Sequence, residues 1–147
     1  MADVGSYQEE MGSNAPISNE DSTVGGRIIH IKFTHASGGD LSVTLNNKIM
    51  KRLSGKYVLK IRQIPDTEVP VSSPSTLFIK DSDQYDYLSS NGVNFLVSAT
   101  PLETLAYNSF LGNSEYAMFS TSLPLTISTS GNSVSGASFS LKFFIVD

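Results

Sequence analysis

Histidine, aspartate and lysine are the side chains here whose types and spacing invite a chemical reading. His30 and His35 are the only histidines, and with Asp40 they supply ligand types that bind metals. His30, however, falls between Ile29 and Ile31 in an extended apolar run, and no third ligand with a supporting shell accompanies the pair. A structural role for both is the stronger expectation. A Ser-His-Asp set can be assembled on paper from any serine-rich chain, but no nucleophile-elbow motif is present. Asp81, Asp83 and Asp86 open like a calcium loop, yet the sixth place holds Asp86 instead of glycine and the twelfth holds Gly92 instead of glutamate. A solvated turn is expected there. The sequence therefore designates no catalytic, cofactor-binding or metal-binding residue, and a protein that is not an enzyme is expected.

The most specific electrostatic feature is a basic cluster of Lys48, Lys51, Arg52, Lys56, Lys60 and Arg62. On a helix, Lys48, Lys51 and Arg52 fan over one arc beside the apolar face. Lys48, Lys51, Arg52 and Lys56 are expected to form an interface, with a solvated helix face as the plain alternative. Nucleic acid ranks behind an acidic protein surface as the partner. The domain is acidic overall, and the nearest aromatics, Phe33 and Tyr57, are expected among core-facing residues. Charge is also partitioned along the chain. Residues 1–26 carry five acids and no base, residues 27–62 carry eight Lys or Arg against Asp40, and residues 63–147 carry two Lys against eight acids. Such segregation favours complementarity between copies.

The elements that must position these residues are mostly strands. Charged residues make up only 16% of the chain, and Ser, Thr, Asn and Gly abound, which suits short strands and turns better than helices. Cysteine is absent, so neither disulfides nor thiolate metal sites hold the fold. No stretch reaches membrane-spanning length and the first residues lack a signal-like apolar run, so a non-secretory route is expected. Residues 138–146, SFSLKFFIV, form the central strand, with Phe139, Leu141, Phe143 and Ile145 on one face. Residues 27–33 set Ile29, Ile31 and Phe33 together, and residues 56–64 set Tyr57, Leu59 and Ile61 together. All of these are expected to be mostly buried.

Leu41, Val43 and Leu45 alternate on a return strand, and Asn46 or Asn47 caps a short helix whose Ile49, Met50 and Leu53 share a face. Residues 77–80, 93–98, 116–121 and 123–129 read as further strands. Thr100, Pro101, Leu102 and Glu103 have the capping-box pattern of a helical turn. The fold class expected is all-β: an antiparallel β-sandwich or jelly roll of eight to nine strands, with one short helix and an extended N-terminal arm.

Two units follow: a polar N-terminal arm over residues 1–26 and a β-sandwich domain over residues 27–147. The arm has no apolar periodicity. Its anchors, Val4, Tyr7, Met11, Ile17 and Val24, bury too little to offset an ordering cost of about 1–2 kcal/mol per residue. They are expected to sit against a neighbouring subunit. Deleting residues 1–24 is expected to leave unfolding of the monomer nearly unchanged.

In this layout the whole chain resembles the small β-sandwich and jelly-roll structural proteins of virions: capsid, vertex and capsid-decorating subunits, chiefly of bacteriophages. The resemblance implies a non-enzymatic homo-oligomer that assembles through its arm and sandwich surfaces. It implies synthesis in the host cytoplasm and a place in the virion, with other copies and other virion proteins as partners and no cofactor or membrane span. A phage tail-tube or head-tail connector protein shares the layout. From another class, a carbohydrate-binding β-sandwich module would display exposed aromatics. Tryptophan is absent, and the tyrosines of residues 81–87 are the candidates.

Overall fold

A computed structural model describes residues 3–17, 26–108, 113–115, 117–118 and 124–146. Its strands are β1 (Ser6–Glu9), β2 (Ala15–Pro16), β3 (Arg27–Thr34), β4 (Ser42–Thr44), β5 (Tyr57–Pro65) and β6 (Thr76–Lys80). They continue with β7 (Leu102–Thr104), β8 (Ala106–Asn108), β9 (Asn113–Glu115), β10 (Ala117–Met118), β11 (Thr126–Ser130) and β12 (Ser138–Val146). Helix α1 (Asn47–Leu53) lies between β4 and β5, and a 3-10 turn (Ser89–Gly92) follows β6. The fold is an antiparallel β-sandwich with one short helix, as expected. Its strands outnumber the expected eight or nine because several are only two or three residues long.

The larger sheet has the order β1-β3-β12-β5-β10, with β2 added to β3 and β7 added to β5. The facing sheet is β4-β11-β6, and β8 and β9 form a separate ladder. The last strand lies between β3 and β5, which is why its inner face is continuously apolar. Ile29, Ile31 and Phe33 of β3 meet Phe139, Leu141 and Phe143 of β12, and Phe33 and Phe139 stack at 5.3 Å between ring centres. Leu41, Val43, Leu77, Ile79 and Ile127 close the core from the facing side, and Ile49, Met50 and Leu53 of α1 seal one end. Asn46 caps that helix by accepting the Ile49 N–H at 2.9 Å.

Register corrects one expectation about β5. The ladder shifts between Phe144, which pairs with Lys60, and Ile145, which pairs with Val58, so Leu59 has no opposite number. A single extra residue reverses side-chain faces beyond it. Val58 is therefore buried, while Tyr57 is 45% exposed and Leu59 only half-buried. Two further corrections concern the middle of the chain. The Thr100–Glu103 pattern does not start a helix, because Leu102 and Glu103 pair with Gln63 and Arg62 of β5. Residues 93–98 form no continuous strand, and only Leu96 bridges, to Ser75. Of residues 116–121 and 123–129, residues 116, 119–121 and 123 lie outside the described residues.

The N-terminal segment also departs from expectation. Residues 3–17 are not a detached arm, since β1 and β2 line the edge of β3, and Val4 exchanges two hydrogen bonds with Ser42 of the facing sheet at 2.7 and 2.9 Å. The segment thus staples the two sheets along one side. Gly5 makes the crossing possible: its φ is +99°, and a Cβ there would stand 2.7 Å from the Thr34 carbonyl oxygen. Its polar composition hid this docking, because the hydrogen bonds it uses are backbone ones.

Candidate functional site

The basic residues singled out by the sequence divide between two places. Lys60 and Arg62 project from β5 onto the outer face of the larger sheet and lie over the Phe144 ring at 4.6 and 4.9 Å. Glu103 of β7 binds both, at 3.1 Å to Lys60 and 2.7 Å to Arg62. Burial pushes the Glu103 carboxyl up, but the Lys60 and Arg62 hydrogen bonds and charges outweigh it and hold the group below its ordinary value. Phe144 is thereby buried outside the main core. This group closes the sheet's outer surface.

Lys51, Arg52 and Lys56 instead line a cleft of about 560 Å³ at the end of the sandwich. The last turn of α1 supplies Lys51 and Arg52, and the connection to β5 supplies Lys56. Opposite them stand Asn14 from the turn after β1, Gly26 and Arg27 from the start of β3, and Ile145 and Val146 from the end of β12. Gly26 is required by close packing. A Cβ there would lie 2.5 Å from the Ile145 carbonyl oxygen and 2.7 Å from the Ile17 side chain. Lys48 is exposed on the same helix but does not line the cleft.

Glu9 at the end of β1 pairs with Arg52, tying the N-terminal segment to α1. Burial raises the Glu9 carboxyl, and hydrogen bonds from Arg52 and Ser13 with the charges of Arg52 and Lys48 overcome that and lower it. Neither Glu9 nor Arg27 was singled out from the sequence. Both lie far along the chain from the cluster and meet it only through strand pairing.

The proposed anchors fall into distinct places. Tyr7 packs on Phe33 at 6.1 Å between ring centres, and Ile17 is buried, so both are engaged by their own chain and not open to a neighbour. Val4 is 43% exposed and Met11, at the tip of the turn between β1 and β2, is 99% exposed. Val24 lies outside the described residues.

The histidines do not converge. His35 is buried and uses both ring nitrogens, with Nδ1 at 2.9 Å from the Ala137 carbonyl and Nε2 at 2.9 Å from the Thr129 hydroxyl. His30 lies under the turn after β1, where its backbone N–H donates to Ser13 Oγ at 3.1 Å. Burial, reinforced by the charge of Lys142 and opposed by Glu10, lowers its pKa. Among the described residues no group of three or more His, Asp or Glu is placed to hold a metal ion.

The acidic loop is a self-bonded turn. Asp81 is buried and accepts the N–H groups of Asp83 and Tyr85 and the Tyr87 hydroxyl, while Asp86 accepts the N–H groups of Ile79 and Leu88. Asp83 is exposed. Tyr87 is buried and meets the 40% exposed Tyr85 edge-on at 5.0 Å.

No helix among the described residues is long and apolar enough to cross a membrane. No protein-family model matches the chain, and no curated protein matches it. Among solved structures, one neighbour comes from work on the promiscuous specificity of carbohydrate-binding modules of the β-sandwich superfamily. It is 10% identical with a TM-score of 0.30, over 100% of this chain and 55% of that one. This chain thus spans about half the length of its neighbour.

Proposed function

We propose that this chain is a non-enzymatic structural subunit of a virus particle, a capsid, vertex or capsid-decorating protein that assembles through its N-terminal segment and the surfaces of its sandwich. Its partners are other copies of itself and other virion proteins, and it reaches the virion after synthesis in the host cytoplasm. The layout of the sequence motivates the reading, and the observation that carries it is Met11. A flexible apolar side chain stands at 99% exposure on a turn fastened to β3 by backbone bonds, which leaves it open to a partner. It suits insertion into a neighbour. The N-terminal segment accordingly acts as a built surface instead of a loose tether.

Sedimentation velocity of the full chain tests this. Assembly beyond the monomer is expected, and Met11→Glu should reduce it at least several-fold while leaving thermal unfolding unchanged. A chain that stays monomeric at every concentration, alone and with the other proteins of its particle, would refute the reading.

A further inference from the structure

We propose that the free edge of β1 pairs with β1 of a second copy, joining two larger sheets into one antiparallel sheet about a two-fold axis at Gln8. The backbone fixes which groups are available. The Glu10 N–H donates to the His30 carbonyl at 2.9 Å, and across the other edge of β3 the His35 N–H donates to the Ala137 carbonyl at 2.8 Å. Backbone groups alternate sides along a strand, so Ser6, Gln8 and Glu10 turn theirs toward β3 while Tyr7 and Glu9 turn theirs away. Among the described residues nothing bonds the outward N–H and C=O groups of Tyr7 and Glu9. The strand also lacks the usual protections of an edge. It contains no Pro, Lys or bulge, and no described strand lies beyond it in the sheet.

The strand is complementary to itself in one register. With Gln8 opposite Gln8 of the second copy, Tyr7 of each chain faces Glu9 of the other, and reciprocal hydrogen bonds satisfy every outward group on both strands. Sliding the strands by two residues one way sets Glu9 against Glu9, and like charges directly opposite each other are destabilising. Sliding them the other way sets Glu9 against Gly5, whose φ of +99° takes the chain out of the strand. The favoured register also uses both exposed apolar side chains of the segment. Met11 follows β1 at 99% exposure and Val4 precedes it at 43%. Antiparallel pairing sets the Met11 end of each β1 beside the Val4 end of the other, so each copy covers apolar surface that the other leaves open. Ser6 and Gln8 are exposed and bring no charge to the contact. The pairing rests on the reading of the N-terminal segment as an assembly surface, and gives that surface its partner and its geometry.

Cysteine cross-linking of the full chain tests this, because the chain has no cysteine of its own. Gln8 and its counterpart form a non-hydrogen-bonded pair with Cα atoms about 4.5 Å apart, inside the roughly 4.4–6.8 Å that a disulfide spans. Gln8→Cys should therefore give a disulfide-linked dimer under mild oxidation. Two copies of Ser6 stand about 13 Å apart along the paired strands, so Ser6→Cys should cross-link at least about tenfold more slowly. Ser6→Cys mixed with Glu10→Cys should link unlike chains, since that register sets the two opposite each other. In sedimentation velocity Gln8→Lys should weaken the dimer at least about threefold, and mixing it with Gln8→Glu should restore it. Gln8 is exposed, and thermal unfolding checks that each variant folds. Equal cross-linking of Gln8→Cys and Ser6→Cys, or a dimer indifferent to Gln8→Lys, would overturn the pairing and leave the assembly reading standing. A chain monomeric alone that still joins its particle would do the same. A chain monomeric in both settings would overturn both.

Discussion

At His35, hydrogen bonding decides which nitrogen carries the proton. The Ala137 carbonyl can only accept, so Nδ1 donates to it, and Nε2 must accept from the Thr129 hydroxyl, whose oxygen accepts the Leu41 N–H at 2.9 Å. A second proton on the ring would require the Thr129 hydroxyl to turn its hydrogen away and accept from Nε2 as well as from the Leu41 N–H. Burial lowers the His35 pKa below its ordinary 6.5, opposed in part by the Ala137 bond and the charge of Asp40. The unfolded chain thus binds a proton more readily than the folded one, and stability should fall as pH drops through 6.5 toward the folded-state value. His30, also lowered, acts in the same direction. The urea midpoint should be lower at pH 5.5 than at pH 7.5. His35→Leu should lose about 1–3 kcal/mol at pH 7.5, for the partners left unpaired, and show a flatter pH dependence. An unchanged slope in that variant would place the sensitivity elsewhere.

Among the elements, the N-terminal segment behaves least as its composition suggests. Ser6–Glu9 occupies the edge of β3, Val4 reaches the facing sheet, Tyr7 covers Phe33, and Glu9 holds Arg52. Removing residues 1–17 would open the β3 edge and uncover part of the Phe33 ring. The loss of backbone bonds and of a half-buried tyrosine should lower unfolding stability by at least about 2 kcal/mol, measured by urea denaturation. An unchanged midpoint would mean that the segment docks without joining the cooperative unit, as its polarity suggested.

For the whole molecule, the charge segregation is partly neutralised within the fold. Glu9 meets Arg52, Asp66 meets Lys32 at 3.7 Å, and Glu103 meets Lys60 and Arg62. Exposed pairs of this kind contribute little to stability, so raising salt should hardly move the unfolding transition. Contacts between copies that use the remaining charge are screened over a Debye length of about 10 Å at 0.1 M salt. Sedimentation velocity should therefore show assembly weakening from 50 to 500 mM salt at constant monomer stability. Assembly that strengthens with salt would point to an apolar contact built around Met11.

The β class, the central place of Ser138–Val146, the apolar faces of β3 and β12, and a short helix capped by Asn46 or Asn47 are all legible in the sequence alone. Each of these is written in local periodicity or in a cap a few residues long. Only the tertiary structure decided that Tyr57 points outward, because one unpaired residue, Leu59, reverses the alternation of β5 and no local pattern marks where a bulge will fall. Strand pairing likewise brought Arg27 to Lys51 and Lys56 while sending Lys60 and Arg62 to Phe144, dividing a cluster that is continuous along the chain. The docking of residues 3–17 was hidden for a related reason. It rests on backbone hydrogen bonds to edges that exist only once β3 and β4 have folded, and side-chain composition does not record them.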